Sequence, residues 1–179
     1  TEGEVWRLAG ELPPGAAGIT FLPYLGGGEQ GALWDPELRG SLLGLTLAHD
    51  RRALARALLD GLVLESVRCL AVLEEVSGSA DELVATGAGV GSSSMVRSLA
   101  NASGRRVRWP SDPAHPASAW GAATLALEAI GRDRSAAPDL AEGVGADPAA
   151  RAAWDAAFER HEAARRAIVA ARGASIAAR

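Results

Sequence analysis

The sequence predicts an α/β domain: a sheet holding parallel strands, joined by right-handed helical crossovers. Three observations carry that reading. Short apolar, extended runs alternate with long helical patterns along most of the chain. One helical pattern, 51–77, is apolar on nearly every side, as in a helix buried between layers. The apolar run Leu83-Val84-Ala85 breaks at three alternating glycines, and a helix and a second strand follow at once. With 179 residues, 48% of them hydrophobic, one domain has a core large enough to need no staples.

The elements follow in order. Residues 1–18 read as loop, with "LPPGAAG" as a breaker. "ITFLPYL", 19–25, is extended; "GGGEQGALWDP", 26–36, is a Gly-rich loop; "RGSLLGLTL", 39–47, reads as strand. His49 and Asp50 open the helix 51–77, with Asp50 as N-cap and Leu54, Leu58, Leu62, Val63, Val67, Leu70 and Leu73 spread around it. A strand at 83–86, expected at the centre of the sheet, leads through the glycine turn to a helix at 93–103 and a strand at 106–109. The small-residue pattern 117–130 is a helix ended by Gly131. Residues 132–146 read as loop, and Asp147-Pro148 start a last helix, by cap and N1 proline, that runs to about 171. A single domain over 1–179 is expected, with 1–18 and 172–179 at its periphery.

Composition excludes several classes. A net charge of −4 and 4% aromatic residues argue against a nucleic-acid surface. No apolar run is long enough to span a bilayer, and no basic start precedes an apolar segment, so a cytoplasmic protein is expected. One cysteine, Cys69, excludes an internal disulfide and most zinc sites, and three scattered histidines make no metal cluster. All 18 basic residues are arginines, so any phosphate contact by a basic side chain must use Arg.

Three readings fit the glycine turn. A dinucleotide fold has this strand, turn, helix and strand, and Asp112 follows the second strand where a ribose-binding acid sits. However, Gly87-x-Gly89-x-Gly91 lacks the G-x-G-x-x-G spacing. A purely structural turn needs glycines for tight geometry and close packing. A mononucleotide pocket at a helix N-terminus uses outward N–H groups and the missing Cβ, with serines 92–94 as caps or donors.

Ordered segments extend the third reading. "FLPYLGGGEQGALWDPELRGSLLGLTLAHDRRALARALLDGL", 21–62, carries Pro23, Tyr24, Leu25, Gly28, Glu29, Trp34, Pro36, Arg39, Gly40, Gly44, Leu45 and His49 in the pattern of the FGGY carbohydrate kinases. "ATGAGVGSSSMVRSLANASGRRVRWP" resembles that family's adenosine-binding "TGGGA-x-S" turn, and "ASAWGAATLALEAIG" its "AALGAALLA" helix. Together they cover roughly residues 19–131. The chain departs from the family where "GERTP" has become "GEQGA", through Gln30, Gly31 and Ala32. It departs again at Ala88, where a glycine is usual, and at Arg97, where a Gln is common.

The resemblance implies a ribonuclease H-like/actin-like ATPase fold, the C-terminal half of an FGGY kinase, with a mixed sheet flanked by helices. It implies transfer of the ATP γ-phosphoryl group to a sugar hydroxyl, with ATP and, in the full-length enzyme, Mg²⁺ as cofactors. Gly87, Ala88, Gly89 and Ser92 are then the cofactor-binding residues, with Ser92 where relatives place a small polar residue beside the base or ribose. Valine at Gly89 is expected to fill the space of the base or ribose and to disfavour a positive φ. The family's catalytic Asp lies in an upstream Gly-Asp motif that residues 1–18 do not match, so no catalytic residue is expected here and the fragment alone is expected to be inactive. "FLPYL" and "LWDP" lean to a ketopentose such as xylulose, then to gluconate. The expected partners are ATP or ADP and a sugar held mainly by the N-terminal part, with a homodimer left open and no nucleic acid or membrane. The alternative is a non-catalytic nucleotide-binding or dimerisation module derived from such a kinase.

Other residues have plainer readings. Glu29 either orients a nucleotide-contacting loop or is an exposed loop carboxylate. Arg39 pins its own loop, His49 is a structural hydrogen-bonder, and Cys69 is inert. Glu65, among apolar positions of its helix, needs a partner if buried or marks an interface. Trp120 and Trp154 are packing anchors.

Overall fold

The helix α2 (Arg51–Ser77) organises the molecule, which a computed structural model describes for residues 1–28, 31, 34–112, 116–132 and 138–177. Asp50 caps α2 as expected, accepting from the N–H groups of Arg52 and Ala53 at 2.9 and 3.0 Å. Against it pack α1 (Glu2–Ala9), β1 (Thr20–Leu22), α3 (Ser93–Ser103) and α5 (Arg151–Ala177). Gly61 sets how closely α2 crosses β1, because a Cβ there would run into the Phe21 carbonyl.

The core has three parts. Leu8 and Ala9 of α1, Leu59, Val63 and Leu64 of α2, and Trp154 and Ala157 of α5 form the largest. Ala16, Ile19 and Phe21 meet Ala53 and Ala57 in the second. Leu22, Tyr24 and Leu38 meet Ile168 and Val169 of α5 in the third. The segment 1–18, expected as loop, therefore contributes a helix and core residues. Its apolar residues are few but lie on one side of α1, which tertiary packing selects.

The strands among the described residues form two separate two-stranded sheets, one antiparallel and one parallel. β1 pairs antiparallel with β2 (Ser41–Leu43). β3 (Glu82–Val84) pairs parallel with β4 (Arg106–Arg108), Leu83 opposite Val107. The other side of β4 is taken by residues of the expected loop 132–146, through Val107–Val144 and Pro110–Leu140 bridges. Thus β4, not β3, is the middle strand among the described residues. The 139–144 segment lacks strand periodicity, so its pairing comes from β4's backbone groups rather than from its own side chains.

The α2 expectation holds in part. Its first half is buried on several faces, whereas Leu73 and Val76 near its end are 63% and 90% exposed. Its burial also includes charge. Arg56 and Asp60 are 5% and 4% exposed and bond through Arg56 Nε and Asp60 Oδ1 at 2.8 Å. Asp60 Oδ2 accepts from the Gly15 N–H at 2.8 Å, and Arg56 lies 5.2 Å above the Trp154 ring. Farther along, Glu65 accepts from the Tyr24 hydroxyl at 3.1 Å, from the Arg68 guanidinium and from His161 Nε2 at 3.4 Å. These partners answer the need read from the sequence and tie the β1 loop and α5 to α2.

Candidate functional site

The glycine turn leaves β3 and opens α3. Gly87 has φ 95° and ψ −175°, a conformation essentially confined to glycine. Ala88–Gly91 then make one 3₁₀ turn, with Val90 N–H donating to the Gly87 carbonyl at 3.2 Å and Ser92 N–H to that of Gly89 at 3.1 Å. Ser92 caps α3: its hydroxyl oxygen accepts from the Met95 N–H at 3.3 Å. Capping uses one lone pair and leaves the hydroxyl proton free to be donated.

The three glycines serve different ends. A Cβ on Gly87 or Gly91 would meet nothing, so both look into open space. Gly89 lacks a positive φ, and its Cβ direction points at Met95, 3.5 Å from Cγ. The expectation that valine at Gly89 is disfavoured by φ is therefore corrected: the constrained glycine is Gly87, and Gly89 faces α3.

Two clefts border the turn. One, of about 380 Å³, is lined by Thr86 and Gly87 on one wall and Pro116, Ala117, Ser118 and Ala119 on the other. The second wall is the start of α4 (Ala117–Ala129), whose first-turn N–H groups have no partner within the helix. Only small side chains stand there, so a flat group has access to backbone from both sides. The other cleft, of about 660 Å³, is lined by Gly91, Ser92, Ser93 and Ser94 together with α1 residues such as Trp6 and Arg7. Gly87 and Ser92 thus line different clefts. The first turn of α4 as an opposite wall was not read from the sequence; its signal was the run of small residues behind Pro116.

Several plainer readings are matched by geometry. Arg39 donates to the Pro36 and Leu38 carbonyls, both at 2.8 Å, and so pins its own loop. Thr46 N–H donates to His49 Nδ1 at 2.9 Å, which leaves Nε2 as the donor to the Ala17 carbonyl at 3.3 Å. Asp35 of the "WDP" stretch holds Arg172 of α5 through two bonds of 2.8 Å, and these hydrogen bonds lower its carboxyl below the usual range. Trp154 is buried in the core, and Cys69 is half-buried. Glu29, Gln30 and Ala32 lie outside the described residues.

Fold and turn together define a class: an α/β domain whose strand, glycine turn and helix open onto a cleft of small-molecule size. The profile of the FGGY family of carbohydrate kinases, C-terminal domain, matches residues 3–130. The chain belongs to that family, and its fold is that of the family's actin-like C-terminal domain. A gluconokinase of Bacillus subtilis (strain 168) is 38% identical over 82 residues, 45% of this chain and 16% of that enzyme. A glycerol kinase of Alkalilimnicola ehrlichii (strain ATCC BAA-1101 / DSM 17681 / MLHE-1) is 32% identical over 155 residues, 86% of this chain and 28% of that enzyme. The crystal structure of xylulose kinase from Rhodospirillum rubrum superposes with a TM-score of 0.75 at 29% identity, over 92% of this chain and 33% of that one. The chain thus spans a third or less of the length of each of these relatives. No helix among the described residues is long and apolar enough to cross a membrane.

Proposed function

We propose that this chain supplies the adenosine-binding side of an ATP-dependent carbohydrate kinase that phosphorylates a sugar hydroxyl. Xylulose or a similar ketopentose is the favoured substrate, with gluconate next. The observation that carries the reading is the cleft between Thr86-Gly87 and Pro116–Ala119. It combines a glycine whose Cβ direction is open with a wall of small residues, which suits a flat base and its ribose. In this reading Gly87 and Ala88 hold the base side, Gly89 keeps the turn against α3, and Ser92 caps α3 and so fixes the helix start behind the turn. When bound, ATP supplies the transferable phosphoryl group; the chain's own residues only bind and orient it. Among the described residues no three His, Cys, Asp or Glu side chains come together to hold an ion, so no step is assigned to Mg²⁺ here.

Titration with ADP, followed by amide NMR shifts, tests the reading. Shifts clustered at 86–91 and 116–119 are expected, and NADH shifting the same residues more strongly refutes it. A coupled ADP-release assay across pentuloses and gluconate is expected to show no sugar-dependent turnover by this chain alone. The family's base is expected upstream of the region matched here.

A further inference from the structure

A polar cleft of about 290 Å³ lies between α1, α3 and the start of α5, and adjoins the Ser92 cleft through Gly10, Ser93 and Ser94. It shares no residue with the cleft at Gly87. Its polar lining is Ser93, Ser94, Arg97, Ser98 and Asn101 of α3 and Arg56 of α2; no acidic side chain lines it. Spacing at 94, 97, 98 and 101 places these donors on one face of α3.

Donors in this cleft are left over from internal bonding. Arg97 is exposed and has no hydrogen bond or ion pair among the described residues. Arg56 is 5% exposed, and its Nε and Nη1 are committed to Asp60 and to the Leu12 and Ala9 carbonyls. Its Nη2 has no acceptor among the described residues. Asn101 Oδ1 accepts from the Asp147 N–H at 2.8 Å, so its Nδ2 remains a donor. Asp60 offsets the charge of Arg56, whereas Arg97 has no ion-pair partner among the described residues. A buried guanidinium edge, a free guanidinium and three hydroxyls call for a ligand rich in acceptor oxygens and negatively charged. A carboxylate has two such oxygens; a phosphate group has enough to meet both arginines and the serines.

We propose that this cleft binds a phosphate group, as inorganic phosphate or as a small phosphate ester, with Arg97 as its main contact and Arg56 as the back wall. The volume is at the lower end of small-molecule sites and suits a phosphate carried on a compact organic group. The site works without the nucleotide turn, so it stands or falls apart from the ADP reading.

The experiment is an amide NMR titration of the whole chain with inorganic phosphate, at constant ionic strength held by chloride. Saturable shifts at Ser93–Asn101 are expected. Arg97→Glu, a change at an exposed position, is expected to weaken them about tenfold or more. Parallel titrations with AMP and ribose 5-phosphate identify the carrier: the ester that shifts Ser93–Asn101 at lower concentration than phosphate is the better ligand, and equal behaviour assigns the site to the bare ion. Phosphate shifts that fail to saturate, that survive Arg97→Glu, or that fall only at 86–91 overturn the proposal.

Discussion

Replacing Glu65 by Gln tests how the buried network of α2 holds the molecule together. The carboxylate side chain is 16% exposed and accepts from Tyr24, Arg68 and His161. Burial pushes its carboxyl up, but hydrogen bonds from His161, Arg68 and Tyr24 and the charge of Arg68 outweigh it and hold it at about 2, against an ordinary 4.5. A carboxylate with a depressed folded value stabilises the fold above its unfolded value and loses that stabilisation as pH falls towards the folded one. The window therefore runs from about 4.5 down to about 2. At 1.36 kcal/mol per pH unit, the stabilisation at neutral pH is on the order of 3 kcal/mol. Gln keeps the shape and removes the charge, leaving Arg68, whose side chain is 7% exposed, without that counter-ion. Urea unfolding of both proteins, followed by circular dichroism from neutral to strongly acid pH, reads the difference. The variant is expected to be about 3 kcal/mol less stable at neutral pH, with the gap closing through the acid window. A gap independent of pH would refute the reasoning, because a packing defect does not titrate.

Two further outcomes follow from the geometry. Arg56→Met and Asp60→Leu are each expected to cost about 3–5 kcal/mol, since each strands a buried charge, while the double variant costs less than either; additive losses in a double-mutant cycle by urea unfolding would contradict this. Gly87→Ala is expected to cost about 1–3 kcal/mol, because its backbone conformation is confined to glycine. Gly89→Ala is expected within about 0.5 kcal/mol of the parent, since its Cβ reaches Met95 at ordinary contact distance. Calorimetric unfolding of the two variants checks the pair, and equal losses would show that the turn's conformation does not discriminate them.

Local physics made much of this legible. Asp50 and Asp147 mark helix starts because a carboxylate next to free N–H groups acts the same way in any context. Helix α3 begins and ends where its serines and Gly104 dictate, and Gly104 closes it with φ 72°. The glycine turn stood out as a break between strand and helix, since alternating glycines after an apolar run mark a sharp change of backbone direction. Less legible was which glycine did what. Gly87, Gly89 and Gly91 look alike in the sequence, yet one is constrained by φ, one packs on Met95 and one faces open space.

The sequence by itself determined the order of the strands and helices from residue 19 to α4, the caps of α2, α3 and the last helix, and the ordered motifs that place the chain in its kinase family, because these depend on neighbours along the chain. Tertiary structure alone decided which side of α2 holds charge, since Arg56 and Asp60 sit among leucines and are paired only by their spacing and by Gly15 from another segment. It also decided that 139–144 runs beside β4, that α1 belongs to the core, and that the first turn of α4 faces Gly87. Each of these depends on contacts between residues far apart in the chain, where burial and the need to satisfy backbone groups choose among partners that local pattern leaves equal.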